Sequence, residues 1–167
     1  MQKEQKKIYK IVKINKLKIR YLYVNRKEAG PKISVLFLSG YKSDMEGTKA
    51  TFIEKLAKKE GFEFIKFDYS GHGKSDGLLQ NQTISGWFSE AKYFIEKKLN
   101  YPTILIGSSL GGWISLLLLK KIKKKIIGFV GIATAPDFTK YIIEELTEDQ
   151  KKLFKTQNFI SFKTEYE

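Results

Sequence analysis

The sequence predicts an α/β fold: a mostly parallel sheet with helices on both faces, led by an antiparallel hairpin. Apolar runs of strand length alternate with longer stretches of helical spacing from residue 33 onward. Runs such as Ile33-Ser-Val-Leu-Phe-Leu38 are nearly continuous, as in strands buried on both faces. Two strand-like segments joined by Asn15-Lys16 precede them, which is the pattern of a hairpin.

Taken in order, Ile8 to Ile14 and Leu17 to Val24 form that hairpin. Gly30-Pro31 introduces the buried strand Ile33 to Leu38. Helical spacing, carried by Phe52, Leu56 and their neighbours, runs from Thr48 to Lys59 and stops at Gly61, a residue suited to a C-terminal cap. Phe62 to Phe67 is the next strand. Thr83 to Leu99 predicts an amphipathic helix with Trp87, Phe88, Ala91, Phe94 and Ile95 on its inner side. Strand Thr103 to Ile106, helix Leu110 to Lys121 and strand Ile126 to Ile132 follow. A polar, helix-forming stretch from Asp137 to Phe154 comes last. No repeat, linker or second domain interrupts this order, and 167 residues are enough for one domain with a sizeable core.

Composition narrows the chemistry. Without cysteine there is no disulfide, thiolate metal site or cysteine nucleophile, and a single histidine, His72, leaves no multi-histidine metal site. Neither metal nor cofactor is expected. The apolar stretch Leu110 to Leu119 is about half the ~20 residues of a membrane span, and the N-terminus lacks a signal-peptide pattern. The expectation is a cytoplasmic protein without an integral membrane segment. The formal charge of +13 raises nucleic acid as a partner, but only Arg20 and Arg26 among the 31 basic residues are arginine. Arginine's planar fork is what base edges and phosphates favour. The lysines are scattered, and the dense run Lys120-Lys121-Ile-Lys-Lys-Lys125 falls where a helix ends and cations are favoured. A solvated surface is the expectation, and no nucleic-acid partner is.

In sheets of this kind ligands bind beyond the carboxyl ends of the strands. Gly107-Ser108-Ser109-Leu110-Gly111 lies there, after a strand and opening a helix. That context fits a nucleophile elbow, in which glycines permit a sharp turn and the central serine presents its hydroxyl at the helix N-terminus. Ser109 is then the candidate nucleophile. The N–H of Leu110 would face the oxyanion formed on attack. Ser39-Gly40-Tyr41 follows the strand expected beside the elbow, which makes the Tyr41 N–H the second candidate donor. Asp68-Tyr-Ser-Gly-His-Gly-Lys-Ser75 suits a tight loop whose aspartate and serine bond its own backbone. His72 is accordingly expected to be structural, and Asp137 a helix N-cap; they are the residual candidates for base and acid.

With Leu38-Ser-Gly-Tyr41, Gly47-Thr-Lys-Ala50, Phe67-Asp-Tyr-Ser-Gly-His-Gly-Lys-Ser-Asp76, Gly107-Ser-Ser-Leu-Gly-Gly-Trp113 and Gly131-Ile-Ala-Thr-Ala-Pro-Asp137 in this order, the chain resembles the α/β-hydrolase superfamily. Within it, the likeness is to serine esterases comprising the mitochondrial palmitoyl-protein thioesterase and acyl-glucuronide esterase and their bacterial relatives. It extends over about residues 30 to 165. The resemblance implies a small acyl ester or thioester as substrate, Ser109 as nucleophile, Tyr41 and Leu110 as oxyanion donors, and residues 137–167 as the start of a cap. It also implies an acid and a histidine after the nucleophile, whereas no histidine follows Ser109. The expectation is therefore a truncated hydrolase domain, incomplete at the C-terminal edge of its sheet and inactive alone, with a separate polypeptide as a candidate to complete it. The alternative is a non-catalytic remnant or binding module on the same fold. A basic nucleic-acid or membrane-surface binder is a further alternative.

Overall fold

The computed structural model describes residues 7–122 and 124–157. Its six-stranded sheet has the order β1-β2-β4-β3-β5-β6. Strands β1 (Tyr9–Ile14) and β2 (Leu17–Val24) form the expected hairpin, closed by Asn15 and Lys16 at φ 47° and 72°. Positive φ at both turn residues gives the twist that matches paired strands. β2 runs antiparallel to β4 (Glu63–Phe67), while β3 (Ser34–Leu38), β4, β5 (Thr103–Ser108) and β6 (Ile126–Ile132) are mutually parallel. Every residue of β3 and β4 is buried, as the nearly continuous apolar run of β3 predicts, and in β4 this includes Glu63 and Lys66.

Helix α1 (Thr48–Glu60) covers one face of the sheet, packing around Val35, Phe37 and Phe64. It ends on Gly61 in the left-handed conformation, as predicted. Helices α2 (Ile84–Lys97) and α3 (Leu110–Lys121) cover the other face over Leu36, Leu38, Ile65 and Leu105. Thr83 caps α2 by accepting the Gly86 N–H, and Trp87, Ala91, Phe94 and Ile95 turn inward as their spacing predicts. The polar stretch after β6 forms two short helices, α4 (Phe138–Glu144) and α5 (Glu148–Gln157). Of the expected cap region, residues 158–167 lie outside the described residues.

The burial of α1 adds what the spacing alone leaves open. The spacing of Phe52 and Leu56 identifies α1 as a helix, yet they are its outward residues, 64% and 43% exposed. Ala50, Glu54 and Ala57 point inward instead. Burying Glu54 is tolerable because Lys66 of β4, itself fully buried, places its Nζ 2.9 Å from Glu54 Oε2.

Beyond β5 the face on the α1 side is bare. Val130 pairs in register with Ile106 and is 50% exposed, and Ile127 of β6 is 56% exposed. Among the described residues nothing pairs with the outer side of β6.

Candidate active site

The site is built at the carboxyl ends of β3, β4 and β5. Parallel register aligns Leu38 with Gly107, so the chain leaving β3 passes directly beside the β5–α3 junction. Ser109 occupies that junction with φ 50° and ψ −114°. For a side chain other than glycine this is a strained conformation, of the kind that costs about 1–3 kcal/mol and survives only where its surroundings hold it. Here its N–H donates to Ile132 O at 2.9 Å, and its carbonyl accepts from Gly112, Trp113 and Ala135. The half-buried residue is thereby gripped by β6 and α3 together. Serine backbone strain and free amides coincide: neither the Tyr41 nor the Leu110 N–H donates to an acceptor among the described residues. Gly40 brings the first of these loops close, since a Cβ placed on it would lie 3.4 Å from Ser109 Cβ.

The loop following β4 ties this end of the molecule together. Asp68 accepts the Lys74 N–H and takes the Ser75 hydroxyl on its carbonyl, so the expected local bonds are present. It does more than the sequence suggests. Its Oδ1 also accepts the Met45 N–H at 2.7 Å, which fastens the loop after β4 to the segment joining β3 and α1.

His72 lies on this loop, buried against an aromatic cluster. Its ring centroid is 5.1 Å from Trp87, 5.8 Å from Tyr69 and 6.1 Å from Tyr41. Nδ1 sits 3.2 Å from the Ser70 carbonyl, which also accepts the Trp87 indole N–H. A carbonyl can only accept, so Nδ1 carries the proton of the neutral ring. Nε2 is buried without a partner among the described residues. His72 is bonded to the loop carbonyl and makes no hydrogen bond to Ser109. Asp137 takes the N-cap position of α4 in the left-handed conformation, but its carboxylate makes no capping bond. The short first turn is closed instead by the Asp137 carbonyl, which accepts the Lys140 N–H.

Tyr41, Trp87, Trp113 and Phe138 form a run of aromatic contacts at this end of the sheet, with Phe138 6.3 Å from Tyr41 and 5.7 Å from Trp113 between ring centroids. Sequence reasoning missed this run, because its members come from four separate stretches of chain. Glu90 of α2 was likewise missed. Its Oε2 accepts the Ser70 N–H at 3.0 Å, and burial pushes its carboxyl above the ordinary carboxylate range.

Residues 29–161 match the family described as serine aminopeptidase, S33. The chain is an α/β-hydrolase of that family. It is 36% identical over 141 residues to the mitochondrial palmitoyl-protein thioesterase ABHD10 of Homo sapiens, covering 84% of this chain and 46% of the relative. To the Bos taurus protein of the same name it is 39% identical over 123 residues, covering 74% and 40% respectively. The solved structure of alpha/beta hydrolase domain-containing protein 10 from mouse superposes with a TM-score of 0.83 at 31% identity, covering 95% of this chain and 62% of that one. This α/β-hydrolase chain thus spans less than half the length of these curated relatives. No helix among its described residues is long and apolar enough to cross a membrane.

Burial holds the His72 pKa below its usual value, despite the opposing effects of the Ser70 carbonyl and Asp68. A folded pKa below the unfolded value near 6.5 means the native state binds fewer protons, so stability falls as pH drops below about 6.5. Glu90, with a raised pKa, gives the opposite slope, and the informative quantity is a difference between proteins. Chemical denaturation at pH 7.5 and 5.5 is expected to show a larger acid loss for the wild type than for His72→Phe. Equal losses would remove the buried neutral imidazole from the account.

Proposed function

We propose that this α/β-hydrolase chain carries the nucleophile and oxyanion donors of a serine hydrolase acting on acyl esters or thioesters. Ser109 is the nucleophile, and the N–H groups of Tyr41 and Leu110 receive the oxyanion. The observation that carries this reading is the left-handed backbone of Ser109 at a strand–helix junction, beside two amides that have no acceptor. Such donors cost no reorganisation when charge develops on the carbonyl oxygen. Attack on the acyl carbon forms its bond to Oγ as a base takes the hydroxyl proton. Collapse of the tetrahedral intermediate breaks the C–O or C–S bond, the leaving group takes that proton to depart as alcohol or thiol, and water then hydrolyses the acyl-serine to the free acid. The acyl class is supported by the names of the thioesterase relatives. Residues 137–157 are the start of a cap over the acyl group, a role supported by the packing of Phe138 against Tyr41 and Trp113.

A serine hydroxyl needs a base to be an effective nucleophile at neutral pH. His72 makes no hydrogen bond to Ser109, its Nδ1 being engaged by the Ser70 carbonyl. On this reading the activating base is one that these 167 residues do not place at Ser109, with a separate polypeptide as a candidate to supply it. The same observation favours the second reading, a binding module with the hydrolase fold and no turnover.

Fluorophosphonate labelling and thioester hydrolysis distinguish the readings. The 167 residues alone are expected to match their Ser109→Ala variant, because loss of a triad member costs about four to six orders of magnitude. Supplying a histidine-bearing remainder of the hydrolase fold is expected to restore labelling at Ser109, and Ser109→Ala to abolish it. Restored activity that survives Ser109→Ala would overturn the assignment; complementation of the fold without any labelling would favour the binding module. The expected cytoplasmic location belongs with this proposal, and the names of the mammalian relatives point instead to mitochondria.

A further inference from the structure

A cavity of about 140 Å³ opens on the α1 face of the sheet, between the β3–α1 segment, the first turn of α1 and the end of β5. It is far larger than the roughly 10–15 Å³ that one water requires. Its floor includes Phe37 and Ser108, and its wall includes Gly47, Thr48, Lys49 and Ala50. The first turn of α1 is uncapped. Gly47 at the N-cap has no side chain to offer, the turn contains no acid, and the N–H groups of Thr48, Lys49 and Ala50 have no acceptor among the described residues. These donors, with the positive end of a 13-residue helix behind them, favour an anion.

Ser108 is the independent observation. It is 6% exposed, and its hydroxyl makes no hydrogen bond among the described residues. Alternation along β5 puts it on the same face as Ile106, which packs with the α1-side cluster, so its side chain is directed into this cavity. A hydroxyl that opens only to this cavity, on a residue 6% exposed, together with three free amides is a donor set suited to an anion. Asp44 opposes an anion from the rim, although its Oδ1 is engaged by the Glu46 N–H at 2.8 Å.

We propose that this cavity binds a phosphate-type oxyanion, held by the N–H groups at the start of α1 and by the Ser108 hydroxyl. Ser39, Gly40 and Ser43 of the segment after β3 also line it, and binding there does not depend on acyl transfer at Ser109. The oxyanion is either free phosphate or the phosphate group of a larger ligand.

Amide chemical shifts of the 15N-labelled chain, titrated at constant ionic strength with inorganic phosphate or methyl phosphate, test it. Saturable shifts centred on Thr48, Lys49 and Ala50 are expected with at least one of the two anions. Binding of methyl phosphate alone supports a phosphate carried on a larger ligand, and binding of both supports the shared group. Ser108→Ala is expected to weaken binding about fivefold, the value of one hydrogen bond. It removes a hydroxyl that bonds nothing in the fold. Asp44→Asn keeps an acceptor for Glu46 and is expected to tighten binding. Ser109→Ala should bind as the wild type does, so failure here is separable from failure of the hydrolase reading. Shifts that never saturate, that spread over surface lysines, or that ignore both Ser108→Ala and Asp44→Asn would overturn the site.

Discussion

Gly111→Ala is expected to lower stability by at least about 3 kcal/mol, at the severe end of overpacking effects. A Cβ at this position would lie 2.0 Å from the Leu38 carbonyl oxygen, 2.5 Å from its carbon and 2.7 Å from the Ser39 oxygen. All three atoms are backbone, so no side chain can swing away to make room. Relief requires α3 to lift from β3, and Leu38 is fully buried at that contact. For a domain of this size each kcal/mol moves the midpoint by about 2–4 °C, which puts the expected drop in Tm near 6–12 °C. Gly128→Ala is the control, because a Cβ there meets nothing closer than Ile104 Cγ1 at 3.6 Å. Its Tm should stay within about 2 °C of the wild type. A Gly111→Ala protein as stable as the control would mean that the approach of α3 to β3 is looser than described. The same substitution separates Tyr41 from Ser109, so labelling of a completed enzyme should fall with it.

The close approach at Gly111 was legible because the signal is local. Gly107 and Gly111 bracket a serine between a strand and a helix, and the reason for both glycines is contact between neighbouring backbones: a Cβ on Gly107 would lie 2.4 Å from Gly111 O. The order of elements was legible for a similar reason, since continuous apolar runs and helical spacing are written within each segment. The position of β3 beside β5 followed from the kind of fold, and the register of Leu38 with Gly107 agrees with it. The run of aromatic contacts was not legible. Tyr41, His72, Trp87, Trp113 and Phe138 meet only after the loops and helices have packed, and no spacing within any one of them records the others. Nor did the motif containing Asp68 reveal that its carboxylate reaches Met45, twenty-three residues away. The orientation of α1 was not legible for a physical reason. A helix with Phe52 and Leu56 offers an apolar stripe, and Glu54 in the same helix reads as surface. What turns it round is Lys66, which sits in a strand and also reads as surface. Two charges that are each improbable in a core become acceptable there only as a pair.

That pairing makes Glu54→Leu the other severe substitution. Lys66 Nζ lies 2.9 Å from Glu54 Oε2, an ion pair although its angles fall outside hydrogen-bond alignment. Lys58 reaches Glu54 Oε1 at 2.6 Å, and Lys7 lies 3.4 Å from Oε2. Burial by itself would raise the Glu54 pKa, but the Lys58 hydrogen bond and the Lys66 and Lys58 charges outweigh it and bring the carboxyl down to about 2. A folded pKa below the unfolded one contributes stability that is complete above about 4.5 and is lost as pH falls toward 2. Removing the carboxylate leaves Lys66 fully buried, with only the Glu46 carboxylate 3.8 Å away. Stranding one member of a buried pair costs about 3–5 kcal/mol, and that is the loss expected for Glu54→Leu at neutral pH. Lys66→Met should cost less, because Glu54 keeps Lys58, whose side chain is 42% exposed and can follow it. The double variant Glu54→Leu, Lys66→Met replaces both charges with apolar groups of similar length and is expected to recover most of the loss. Denaturation midpoints of the four proteins form the cycle. If the double variant were as unstable as Glu54→Leu alone, the penalty would lie in the shape of the core rather than in a stranded ammonium.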